Sequence, residues 1–70
     1  VVHVGVHRSM PVSAALRRLQ SGAYTVIDVL DDDMRIMGRM DEARLLSLLA
    51  RSGGSVAIGE AMRIDHATKG

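Results

Sequence analysis

The residues that could bind a metal are few and lie far apart along the chain. His3 and His7 have the spacing of two metal ligands on one helical turn, but valines alternate with them and predict a strand over residues 1–8. On a strand the two imidazoles lie ~13 Å apart, at ~3.3 Å per residue, so one metal ion cannot bind both. We therefore interpret both histidines as structural and expect no metal site.

Three consecutive aspartates at residues 31–33 resemble the first residues of a calcium-binding loop. Counted from Asp31, however, the fifth and sixth positions are Arg35 and Ile36, where such a loop needs an oxygen ligand and a glycine. Three adjacent carboxylates are too costly to bury together. We interpret the run as a solvated hairpin turn.

The hydroxyl side chains lack the surroundings of a catalytic nucleophile. No serine lies in a Gly-x-Ser-x-Gly elbow, the histidines are near the two ends of the chain, and adjacent aspartates cannot flank a substrate as acid and base. Residues 51–55 lack the lysine and the following helix of a phosphate-binding loop. The chain is therefore predicted not to be an enzyme. The candidate nucleophiles are Ser9, Ser13, Ser21, Thr25, Ser47, Ser52, Ser55 and Thr68.

Composition limits the chain to one small domain. With 70 residues, no Phe and no Trp, its core must be aliphatic, and pairing with a partner is an expected source of stability. A net charge of +1 gives no electrostatic footprint for nucleic acid, and no apolar run is long enough to span a membrane. The absence of cysteine excludes disulfides and agrees with a cytoplasmic location. The chain begins with Val1 rather than Met, so we expect it to be a segment of a longer protein.

Apolar spacing predicts the elements that position these residues. The stripe Val12, Ala15, Leu16 and Leu19 indicates a helix, capped by Ser9 or Met10 and ended by a left-handed Gly22. We predict a single domain over residues 1–62, followed by a tail or linker over 63–70. Its elements are a strand at 1–8, a helix at 12–21, strands at 24–30 and 34–40, a helix at 42–51 and a strand at 56–58.

Two features of the second half carry specific expectations. Asp28 stands inside a predicted strand, so if buried it needs a cationic partner, and Arg39 or Arg35 on the next strand can supply it. Asp41 is expected to cap the second helix. The leucines of that helix cover more than one face, which suggests contact with a partner. The candidate dimer interface is formed by Leu45, Leu48 and Leu49.

The order and spacing of these pieces resemble a CBS domain, the module named after cystathionine β-synthase. Residues 29–38, an acidic turn followed by a short strand that ends in Gly38, are similar to the second half of that module. The helix at 12–21 is similar to its first helix, and residues 55–62 resemble the segment that opens the next repeat. The resemblance extends over about residues 9–62. It implies an α/β (α+β) fold with a small mixed three-stranded sheet, two helices on one face and the order β-α-β-β-α.

The resemblance also implies a function. CBS domains pair with one another and bind adenosyl ligands between them, here AMP, ATP or S-adenosylmethionine as a regulatory ligand rather than a required cofactor. The expected partners are a second CBS domain, in a homodimer or tandem repeat, and an attached enzyme, channel or transporter that the module controls. The alternative is a purely structural dimerisation module with no nucleotide ligand. The candidate cleft residues are Val12, Asp28, Val29, Asp31, Gly38, Asp41 and Arg44.

The family's ribose-binding pattern, Gly-h-h-Thr/Ser-x-x-Asp/Asn, is only partly present. Gly38 matches the glycine, but Asp41 replaces the hydroxyl residue and Arg44 replaces the acid. Arginine has no acceptor and cannot bind ribose hydroxyls as an acid does. Arg44 could instead bind a phosphate at the helix N-terminus or form a surface salt bridge with Asp41 or Glu42.

Overall fold

A three-stranded mixed sheet lies at the centre of the fold. The computed structural model describes residues 2–69, with side chains up to Ile64. Val1 and Gly70, which belong to the predicted first strand and tail, lie outside the described residues. The elements in chain order are β1 (His3–His7), α1 (Val12–Ser21), β2 (Val26–Leu30), β3 (Ile36–Met40), α2 (Glu42–Ser52) and α3 (Ile58–Lys69).

The sheet has the order β1-β2-β3 and both kinds of pairing. β1 runs parallel to β2, and β3 pairs antiparallel with β2, so the predicted hairpin is confirmed. Gly5, Asp28 and Arg39 lie side by side across the three strands. Asp31 Oδ1 accepts backbone hydrogen bonds from the N–H groups of Asp33 and Arg35, both at 2.9 Å, which closes the turn between β2 and β3. The acidic run therefore forms the predicted turn.

The core lies between one face of the sheet and the helices. Because successive side chains of a strand point to opposite faces of the sheet, every second strand residue on this face is buried in the core. The helices α1 and α2 contribute their apolar stripes. This arrangement confirms the predicted α+β fold with a small mixed sheet. The buried residues are Val6, Val12, Ala15, Leu16, Leu19, Ile27, Val29, Met40, Leu45, Leu48, Ile58 and Ala61.

A third helix replaces the predicted strand and most of the predicted tail. Residues 56–58 form only one bridge, between Ala57 and Pro11, and α3 begins at Ile58. In this bridge the Val12 N–H donates to the Val56 carbonyl and the Ile58 N–H donates to the Met10 carbonyl, and it goes no further because helices begin at Val12 and Ile58. Ile58 and Ala61, three residues apart, are both fully buried, which is helical spacing. The strand prediction was therefore wrong, and the helix continues through the predicted tail as far as Lys69.

The caps of α1 also differ from the prediction. Pro11 occupies the N-cap position in an extended conformation and makes no side-chain cap, so neither Ser9 nor Met10 has that role. At the other end Gly22 has a φ of −100°, and Ala23 adopts the left-handed conformation with a φ of 56°. Tyr24 packs against Gly22, where a β-carbon would collide with its ring. Position 22 therefore needs glycine for close contact rather than for its dihedral angles.

Candidate functional site

An open cleft of about 1030 Å³ lies where β3, α2, α3 and the β1–α1 loop meet. Apolar side chains, three of them methionines, line one part of it, and arginines from all four segments line the rest. Such a surface fits a ligand with an apolar body and an anionic group. The lining residues are Arg8, Ser9, Met37, Gly38, Arg39, Met40, Arg44, Leu48, Ala57, Gly59, Glu60, Met62 and Arg63.

The wall of this cleft depends on two glycines. A β-carbon at Gly38 would come within 2.5 Å of the Met62 methyl carbon, so α3 packs directly against the backbone of β3. A β-carbon at Gly59 would lie 2.7 Å from the Arg8 Cβ. The Gly59 N–H donates to the Arg8 carbonyl at 2.9 Å. These contacts hold α3 against both the sheet and the β1–α1 loop.

Carboxylates pair with Arg8, Arg39 and Arg63 in the lining. Arg8 Nη2 lies 2.8 Å from Asp32 Oδ2, Arg39 Nε lies 3.2 Å from Asp28 Oδ1, and Arg63 Nε lies 2.6 Å from Glu60 Oε2. The hydrogen bond from Arg63 lowers the pKa of the Glu60 carboxyl, so Glu60 is negatively charged at neutral pH. Asp32, Asp28 and Glu60 therefore each offset the positive charge of one arginine in the lining.

Arg44 lies in the first turn of α2, and its side chain is exposed in the cleft. Its backbone N–H donates to Asp41 Oδ1 at 2.9 Å, which confirms Asp41 as the helix cap. Asp41 is not among the residues that line the cleft. Gly38 and Arg44 are the two predicted cleft residues that do line it, and Leu48, predicted for the dimer interface, lines it as well.

The other predicted cleft residues lie elsewhere. Val12 and Val29 have no exposed surface and belong to the core, so they cannot contact a ligand. Asp28 points away from the core and binds Arg39, one of its two predicted partners. His3 Nδ1, which was not predicted as a partner, lies 3.0 Å from the same carboxylate. Asp31 is occupied by the turn.

The predicted dimer-interface leucines are mostly internal. Leu45 and Leu48 are 0% and 2% exposed within the single chain, and Leu49 is half-buried against the core. They were assigned to a partner because the sequence did not reveal α3, which packs on α2. Leu46, at 47% exposure, is the α2 leucine that faces solvent.

A cluster that sequence spacing missed lies at one edge of the cleft. His7 Nε2 lies 3.0 Å from Asp32 Oδ1, and His7 Nδ1 lies 2.7 Å from Ser9 Oγ. Parallel pairing of β1 with β2 places His7 beside Leu30, two residues before Asp32. His7 and Asp32 are 25 positions apart in the sequence, and the pairing of β1 with β2 brings them together. No sequence motif contains both residues.

The helices within residues 2–69 are all too short or too polar to cross a lipid bilayer. Comparison with known proteins finds no matching family model and no matching curated protein.

Proposed function

We propose that this chain is a regulatory ligand-binding module of the CBS type. Its order of elements supports the proposal, as does the position of the cleft at the junction of β3 and α2, where the family's ribose-binding pattern lies. The observation that carries the proposal is that Gly38 and Arg44, two ends of that pattern, line one cleft. In this role the module would control an attached enzyme, channel or transporter in the cytoplasm.

The charge of the cleft favours a phosphate-bearing ligand. Arg44 stands where the pattern has an acid, and Arg8, Arg39 and Arg63 lie around it. Guanidinium groups bind phosphate through paired hydrogen bonds, whereas a sulfonium cation would be repelled. AMP and ATP are therefore the expected ligands, ahead of S-adenosylmethionine. The methionines beside Gly38 offer an apolar surface for the base.

Titration calorimetry with AMP, ATP and S-adenosylmethionine tests this proposal. We expect heat and a rise in the thermal midpoint with AMP or ATP. Arg44→Gln should weaken that binding by about tenfold or more, because a charge-assisted contact contributes roughly 1.5–3 kcal/mol. Arg17→Gln, on the exposed face of α1 outside the cleft, is the matched control and should bind as the parent does. Absence of heat and of any thermal shift with all three compounds would refute the nucleotide-binding role.

A purely structural pairing module is the second candidate. It is favoured by three exposed apolar side chains on the β2–β3 hairpin and edge strand β3, namely Met34 (68%), Ile36 (48%) and Met37 (46%). Exposed apolar clusters at a sheet edge are typical of association surfaces. Sedimentation at tens of micromolar separates the candidates. A dimer that Ile36→Lys converts to monomer, with no nucleotide heat in either form, would favour pairing alone.

A further inference from the structure

The cluster at the edge of the cleft has the connectivity of an activated nucleophile. Ser9 Oγ is 2.7 Å from His7 Nδ1, and His7 Nε2 is 3.0 Å from Asp32 Oδ1. Both distances lie within the range expected when a serine is paired with a base that a third group orients. The chain therefore carries a Ser–His–Asp series, assembled from the end of β1, the β1–α1 loop and the β2–β3 turn.

The protonation of the imidazole follows from its neighbours. The backbone N–H of Ser9 donates to His7 Nδ1 at 3.2 Å, so in neutral His7 this nitrogen is the acceptor. The proton then resides on Nε2 and is donated to Asp32 Oδ1. With this tautomer the Ser9 hydroxyl can donate its proton to Nδ1, which is the arrangement that general-base assistance requires.

Asp32 is itself held in place as a carboxylate. Arg8 donates to both of its oxygens, from Nε to Oδ1 at 3.2 Å and from Nη2 to Oδ2 at 2.8 Å. These hydrogen bonds from Arg8, followed by that from His7, lower the pKa of the Asp32 carboxyl. Asp32 therefore stays charged at neutral pH and stabilises an imidazolium that forms at His7.

The surroundings of Ser9 leave its hydroxyl accessible to a substrate and place cationic side chains in the same cleft. Ser9 is exposed and lines the cleft that also contains Arg39, Arg44 and Arg63. Guanidinium groups in the lining favour a substrate or transition state that develops negative charge on oxygen. An acyl donor in the cleft would thus have both the Ser9 hydroxyl and guanidinium groups among the residues that line its site.

We propose that Ser9 is a nucleophile that accepts an acyl group from an activated ester, with His7 as its general base and Asp32 as the positioning residue. In this step Ser9 Oγ forms a bond to the carbonyl carbon, and its proton passes to His7 Nδ1. The bond from that carbon to the leaving oxygen breaks, and the leaving group takes the proton from His7. The products are Ser9 acyl ester, the free alcohol and the original imidazole. This site goes beyond the proposed ligand-binding role and does not depend on it.

The test is to treat the chain with p-nitrophenyl acetate or a fluorophosphonate and to follow the adduct on each serine by peptide mass mapping. We expect Ser9 to react about 10²-fold faster than Ser21 and Ser47, exposed serines of α1 and α2, because a positioned general base gives at least that factor. His7→Ala and Asp32→Asn should each reduce the Ser9 rate, while His3→Ala, on the neighbouring Asp28, should not change it.

A conservative variant separates positioning from a purely structural effect. Asp32→Glu keeps a carboxylate and should retain more of the Ser9 rate than Asp32→Asn, which keeps the size of the side chain but not its charge. Circular dichroism of each variant confirms that it is folded. Three outcomes would overturn the proposal. The first is that Ser9 reacts no faster than Ser47, and the second is that His7→Ala leaves the Ser9 rate unchanged. The third is that Ser9→Ala is acylated on His7 as fast as the parent protein is acylated on Ser9.

Discussion

The methyl carbon of Met62 lies directly over Gly38, in the space that a β-carbon at position 38 would enter at 2.5 Å. This contact joins α3 to the edge strand of the sheet and forms part of the cleft wall. Since the colliding atom is the end of a flexible side chain, Met62 can turn aside at small energetic cost. Because Gly38 and Met62 both line the cleft, displacement of the Met62 methyl group would change the shape of the cleft.

The first prediction concerns that contact. Gly38→Ala should change the free energy of unfolding by less than about 1 kcal/mol but weaken AMP or ATP binding, because Met62 is pushed into the cleft. Adding Met62→Ala should restore part of that binding, since it frees the occupied space although it also removes apolar surface from the cleft. Urea unfolding and titration calorimetry on the two single variants and the double variant form a complete cycle. Additive losses of affinity in the double variant would contradict this explanation.

Local patterns were sufficient to predict the hairpin and the first two helices. The β-branched residues of β2, the acidic turn and the cap residue Asp41 each act through neighbours a few positions away, so the sequence contains the whole signal. Residues 56–58 are different. A short apolar run fits a strand or a buried helix equally well, and here the burial of Ile58 and Ala61 against the core decides for helix.

The site was predictable only where a motif is continuous in sequence. Gly38 and Arg44 belong to one junction and were both placed in the cleft. The His7–Asp32 contact depends on the parallel register of β1 and β2, and no local pattern fixes such a register. Val12 and Val29 were assigned to the cleft by resemblance, but the core needed their apolar surface. Long-range pairing therefore accounts for what the sequence could not reveal.

The second prediction tests the cap of α2. Asp41→Ala removes the acceptor for the Arg44 N–H, so it should lower the free energy of unfolding by about 1 kcal/mol. Asp41→Asn keeps an acceptor oxygen and should lose much less. Asp33→Ala is the matched control, because the described residues make no hydrogen bond to the Asp33 carboxylate. Urea denaturation followed by circular dichroism measures all three, and an equal loss in Asp33→Ala would argue against the cap.

The third prediction separates the buried and exposed leucines of α2. Leu48→Ala should lower the free energy of unfolding by about 2–5 kcal/mol, because it removes a buried side chain from the core. A domain this small has little stability in reserve, so much of the variant should be unfolded at 25 °C. Leu46→Ala, at an exposed position of the same helix, should change stability by less than about 0.5 kcal/mol. Thermal unfolding distinguishes them, and equal effects would mean that Leu46 is covered by a partner.

The fourth prediction concerns Gly59, where α3 meets the β1–α1 loop. In Gly59→Ala the new β-carbon would lie 2.7 Å from Arg8 Cβ and 3.1 Å from the Arg8 carbonyl oxygen. Arg8 Cβ and its carbonyl belong to a segment fixed by the hydrogen bond to Gly59, so they cannot turn aside as Met62 does. We expect a loss of about 1–3 kcal/mol. Gly53→Ala is unsuitable as a control because of its φ of 86°, so Gly5→Ala, whose new β-carbon would meet only the Leu30 side chain, should be compared instead. Urea unfolding measures both, and an equal loss in the two variants would contradict this prediction.

The last prediction is a dependence of stability on pH. Hydrogen bonds from Arg8 and then from His7 lower the pKa of the Asp32 carboxyl below its ordinary value of 3.8. At a pH between the two values the unfolded chain binds more protons at Asp32 than the folded chain does, so stability rises with pH. This contribution is fully present above 3.8 and is lost as the pH falls through the lower, folded value.

Asp32→Asn should therefore be less stable than the parent at about pH 5, and the difference should shrink towards zero on acidification. Thermal midpoints of both proteins, measured from about pH 5 downwards in low salt, give that difference directly. Asp33→Asn changes the neighbouring residue of the same turn and is the control. Its thermal midpoint relative to that of the parent should not show a comparable change with pH. Added salt should reduce the effect at pH 5, because Arg8 and Asp32 are both exposed. A difference between parent and Asp32→Asn that stays constant with pH would show that the charge of Asp32 does not stabilise the fold.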